Sequence, residues 1–172
     1  MALPNLFEQF SGSLTAMQPW VQVLHQTVFG GLAAMGFGVL FNMYQRHLLW
    51  CGLAGGLALA VRTMGLQHGW SLEAASFAAA FSVGTMVQLM QERIGVSRNI
   101  LDVAGCIPMV PGLFATKAIL GFFALTAPIP KNPDETLIVS VEFFLRVAFT
   151  VGAIGTGLAI PSLLLKVMSG KK

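Results

Sequence analysis

Ile107-Pro-Met-Val-Pro-Gly112 is the stretch on which the reading of this chain turns. It lies inside an apolar window from Ile100 to Phe123, and two prolines with a glycine do not continue a regular helix through that point. Crossing a hydrocarbon core of about 30 Å takes roughly 20 residues of helix, and this window has that length. The sequence therefore predicts a broken span. Non-helical backbone survives at membrane depth only where protein or a water-filled cavity satisfies its polar groups, so the break is also the first candidate for a site.

Four further windows flank it, at about 21–41, 48–66, 72–90 and 137–160. Each is bounded by charge, proline or asparagine: Asn42 to Arg46, then His68-Gly-Trp70, then Gln91-Glu-Arg93, with Pro161 marking the end region of the last. Residues 1–20 hold one charge, Glu8, and no cationic n-region of a secretory signal. Leu6 to Met17 is modestly amphipathic and is expected to lie at the outer interface. The fold class is thus an all-α polytopic membrane bundle of five helices forming one integral domain over residues 1–172.

Composition agrees with that class. The chain is 55% hydrophobic and 10% charged, with mean hydropathy +0.75, whereas soluble domains carry about 25% charged residues. Ten Lys and Arg against seven Asp and Glu are too scattered for nucleic acid, which needs basic residues gathered on one face. Arg46, Arg93, Arg98, Lys166, Lys171 and Lys172 fall on one side of the membrane, against Lys131 and the near-terminal Arg62 on the other. The positive-inside rule then puts the C-terminus in the cytoplasm and the N-terminus outside.

Hydrolytic chemistry has no footing here. The three histidines stand apart, and neither HExxH, GxSxG nor a paired-cysteine metal site occurs, so no enzyme, no metal and no cofactor are expected. Cys51 and Cys106 lie in apolar stretches and read as buried thiols. Small residues at helical spacing, Gly30 with Ala34, Gly52 with Gly56 and Ala153 with Gly157, suit close helix packing within the chain.

Charged groups within spans are functional candidates because burying them is costly. Asp102, Lys117, Glu142 and Arg146 qualify. Glu142 and Arg146, four residues apart, make a mutually neutralising pair. Asp102 equally suits the cytoplasmic headgroup level. Arg62 sits where a long side chain snorkels to the interface, and His25 is a candidate proton shuttle beside Gln22 and Gln26. A half-helix restarting near Gly112 would aim free N–H groups and its positive dipole end at the break, an arrangement suited to a carboxylate, with Lys117 as an added cation.

Gly36-Phe-Gly-Val-Leu-Phe-Asn42, Trp50-Cys-Gly-Leu-Ala-Gly-Gly56 leading to Arg62, Ile107-Pro-Met-Val-Pro-Gly112, and Gly152 to Pro161 together resemble the threonine/serine exporter (ThrE) family over about residues 24–165. The resemblance is closest to its short, YjjB-type subunits. It carries over Asn42, Arg62, Pro108, Pro111 and Gly112 as motif positions and implies a YjjP-type membrane subunit supplying a missing N-terminal half. In that split arrangement it implies export of succinate or a related dicarboxylate across a bacterial inner membrane; fused members imply threonine and serine. The expected substrate-binding set is Asn42, Arg62, Pro108, Pro111, Gly112, Lys117 and Arg146, with Asp102, Glu142 and His25 as proton or charge relays. Two other readings stand beside succinate export: an amino-acid exporter, with Asp102 or Glu142 accepting the ammonium group, and a packing scaffold whose partner holds the whole pathway.

Overall fold

The computed structural model describes residues 18–94, 98–126 and 133–169. They form six helices: α1 Pro19–Leu40, α2 Gln45–Gln67, α3 Leu72–Ile94, α4 Arg98–Cys106, α5 Gly112–Leu125 and α6 Pro133–Ser169, with a 3-10 turn, Ile107–Met109, between α4 and α5. Among the described residues there is no strand. Four helices are long and apolar enough to cross a membrane, and α4 with α5 makes a fifth span bent by 64°. The all-α polytopic expectation holds. The amphipathic segment expected at Leu6 to Met17 lies outside the described residues.

Local chemistry sets the ends of these helices. Pro19 stands in the first turn of α1, where a missing N–H costs nothing. At its other end Asn42 takes φ 54°, and the N–H groups of Asn42 and Met43 donate to the carbonyls of Val39 and Gly38. That is a Schellman closure with asparagine in the left-handed position. Gly69, at φ 78°, closes α2 identically, Gly69 and Trp70 donating to Leu66 and Gly65. Ser71 then caps α3, its Oγ accepting from the Ala74 N–H at 3.2 Å.

α1 and α2 cross where glycines face one another. A Cβ on Gly31 would stand 2.9 Å from the Gly52 carbonyl oxygen, and one on Gly55 would stand 2.7 Å from the Gly30 oxygen. Backbone-to-backbone approach of this kind is how helices associate in lipid, where apolar side chains gain little from leaving the solvent. The small-residue faces thus serve packing within the chain. α2 also packs on α3 and α4, and α3 packs on α6. The core around Cys51, Ala54, Val83, Leu101 and Cys106 is fully or nearly fully buried, both thiols included.

The last helix departs from expectation. Residues 137–160 were the predicted span with Pro161 near its end, whereas α6 is continuous through Pro161 to Ser169. Pro161 lies against Gly84 of α3, which has no side chain to displace it. α6 has two partners. Gly157 lies on Phe77 to Phe81 while Gly121 of α5 lies on Ser140. Its second half thus packs on α3 and its first half on α5.

Candidate functional site

The break expected at 107–112 is real and has an open space beside it. α4 ends at Cys106, one 3-10 turn follows, and Val110 and Pro111 carry the chain round to Gly112. The Val110 N–H donates to the Ile107 carbonyl and the Gly112 N–H to the Val110 carbonyl, so the turn is closed internally. Met109 is fully buried while Val110 is half exposed. One face of the turn therefore anchors in the core and the other borders a cavity of about 380 Å³. Its walls are Pro108 to Phe114 apart from Met109, with Leu59, Arg62, Thr63 and Leu66 of α2 and Gln26 of α1 opposite.

Two kinds of donor meet there. α5 has no side-chain cap, and its first backbone bond is the Ala115 N–H to the Pro111 carbonyl. The N–H groups of Leu113 and Phe114 therefore have no protein acceptor among the described residues, in the position where a helix N-terminus attracts an anion. The second donor is Arg62, whose Nη1 donates to the Met109 carbonyl. A continuous helix would have offered that carbonyl to an N–H four residues on, but the turn leaves it for a side chain. Arg62 turns across to the break through this bond. Among the described residues no carboxylate pairs with it.

Of the ten candidate residues, the structure gathers Arg62, Pro108, Pro111 and Gly112 around one cavity. Asn42 closes α1 just ahead of α2, whose first residue lies about 25 Å along the helix from Arg62 at 1.5 Å per residue, and its visible task is the left-handed turn. Lys117, Glu142 and Arg146 form a separate cluster. Arg146 lies 5.8 Å from the Phe114 ring and 3.5 Å from Glu142. Lys117 lies 5.3 Å from Phe143, and Phe114 and Phe143 stack at 5.7 Å. That cluster backs the cavity wall through Phe114 without lining it. His25 packs on Phe29 with the rings tilted and their centroids 4.4 Å apart, one residue from the cavity's Gln26. Asp102 is 6% exposed on α4, two turns before Met109.

Gln26, Thr63 and Phe114 were not singled out by the sequence. Gln26 read as a wet helix end, yet its side chain, six residues into the first span, faces the break. The hint was available, since a glutamine inside an apolar window needs a polar neighbour. Among the described residues no group of three or more His, Cys, Asp or Glu stands together to hold a metal. The site is a cationic, donor-rich pocket at a helix break.

No solved structure matches this chain. A family model described as "Threonine/Serine exporter, ThrE" matches residues 26–164, which takes in α2 to α5, most of α1 and α6, and every residue of the cavity wall. By that match the chain, a multi-pass membrane protein with a donor-lined break, belongs to the threonine/serine exporter family.

Proposed function

We propose that this chain is one subunit of a two-component secondary exporter in a bacterial inner membrane, moving a small carboxylate of the succinate kind through the cavity beside residues 108–112. The observation that carries the reading is Arg62. A guanidinium in a span, lining a cavity and held by a neutral carbonyl, is a cation without a counter-charge among the described residues, and such a group favours an anion of matching fork geometry. The free N–H groups of Leu113 and Phe114 offer a second set of donors to the same anion. A YjjP-type subunit would close the cavity's open side. The orientation proposed is N-terminus outside and C-terminus cytoplasmic, after the charge distribution between spans.

Export of threonine or serine is the second reading, and the family description favours it. A zwitterion also needs an acceptor for its ammonium group. The cavity wall offers Gln26, Thr63 and backbone carbonyls but no carboxylate, since Asp102 and Glu142 both lie off it. That difference supports the dicarboxylate. The test is efflux of labelled succinate and labelled threonine from cells lacking their own exporters, with this chain alone, with the partner, and with the partner alone. Succinate efflux only with both chains is expected. Threonine efflux in its place would move the reading to amino acids, and full activity from the partner alone would leave this chain a scaffold.

A further inference from the structure

Arg62 has two possible claims on it, and they exclude one another. Its guanidinium lines the cavity and at the same time holds the Met109 carbonyl, the last acceptor of the 3-10 turn before the chain bends by 64° into α5. We propose that Arg62 is a substrate-operated tether. A carboxylate entering the cavity takes the guanidinium from the Met109 carbonyl, and loss of that bond frees the turn to change the angle between α4 and α5. The inference rests on the carboxylate reading of the cavity and adds to it a coupling between occupancy and shape.

The direction of exchange follows from acceptor strength. The Met109 carbonyl is neutral and takes a single N–H of Arg62, whereas a carboxylate is charged and takes two in parallel, so a charge-assisted fork displaces the single bond. The turn is poised to respond. Met109 fixes its inner side in the core at full burial, while its outer side is tied by two short-range bonds, Val110 to Ile107 and Gly112 to Val110. Arg62 is the tie that reaches across from another helix, 47 residues away in sequence. A Cβ at Gly112 would meet nothing within 4 Å, so the start of α5 has room to move. α5 leans on α6 rather than on α2, and a swing about the turn therefore leaves the α1–α2–α3 core in place. Loss of the Met109 bond on substrate entry and its return on release would give the two states that alternating access needs.

Spin labels at Met64→Cys on α2 and Ile119→Cys on α5, both exposed positions, report the angle as a distance distribution in the full chain reconstituted in lipid nanodiscs, alone and with the second subunit. Succinate binding is measured on the same samples by radiolabel. In the otherwise native chain, succinate is expected to shift the distribution. Arg62→Met is expected to show the shifted distribution without ligand, no response to succinate, and binding weakened by at least about tenfold. Arg62→Lys keeps the charge but loses the fork, and should bind about tenfold more weakly while still shifting at saturation. Binding to the native chain with no change of distance would overturn the tether and leave the cavity reading standing. An unshifted distribution in ligand-free Arg62→Met would do the same. Absence of succinate binding to the native chain, with or without the second subunit, would overturn the reading on which the tether rests.

Discussion

The α1–α2 crossing and the α4–α5 break are both rich in glycine and both lie within membrane spans, but they use the missing side chain in opposite ways. At the crossing, Gly31 and Gly55 remove volume so that two backbones meet, and a Cβ at either would strike a carbonyl oxygen. At the break, a Cβ on Gly112 would project into open space, and Pro108 within the turn and Pro111 after it hold the backbone out of a regular helix. The first region spends its glycines on a backbone-to-backbone contact within the chain. The second leaves two N–H groups and a guanidinium facing a cavity. The lesson is that a small-residue stripe in a membrane protein marks packing unless polar backbone is left over beside it.

Substitutions at the two regions should separate cleanly, and the largest effect belongs to the crossing. Gly55→Leu would force α1 from α2 and cost about 3 kcal/mol, read as loss of the melting transition in detergent and of membrane-inserted protein. If Gly55→Leu melted like the native chain, the crossing would not be the packed region described. Gly112→Leu should leave the melt unchanged while filling the cavity mouth, lowering efflux on the order of tenfold. Normal efflux from that variant would remove the cavity from the pathway.

Alanine sharpens the contrast further down the scale. Gly31→Ala is expected to cost about 1 kcal/mol, whereas Gly112→Ala should change neither melt nor efflux by more than about twofold, since space is available and a helix start tolerates alanine. Equal penalties at the two positions would erase the distinction. The smallest effect belongs to Glu142→Gln. Glu142 and Arg146 pair at 3.5 Å off the cavity wall, so efflux should stay within about twofold. A larger drop would draw the Lys117–Arg146 cluster into the transport path.

Much of this arrangement was readable in the chain because membrane physics is strict about length and backbone. Five windows of roughly 20 apolar residues became four long helices and one bent pair, and Pro108, Pro111 and Gly112 located the bend to the residue. What could not be read were the meetings between distant segments. The Arg62 to Met109 bond spans 47 residues, and sequence position alone favoured the membrane surface for that arginine. Lys117 seemed well placed after the break by helical count, yet it turns onto Phe143, because α5 packs on α6 and sets which face looks inward. The run of α6 through Pro161 was hidden for a similar reason, as it depends on Gly84 of α3 making room.

Carboxylate binding in the cavity can be tested directly. Leu113→Cys puts a thiol on its wall, while Leu32→Cys puts one in the apolar groove that Gly31 and Gly52 floor; the native Cys51 and Cys106 are buried. Both variants would be treated with a small anionic methanethiosulfonate reagent in membranes, with and without saturating succinate. Fast modification is expected at Leu113→Cys, slowed by succinate by on the order of tenfold, with negligible modification at Leu32→Cys with or without it. Modification of Leu113→Cys at the same rate in the presence of succinate, in membranes that export it, would contradict the claim.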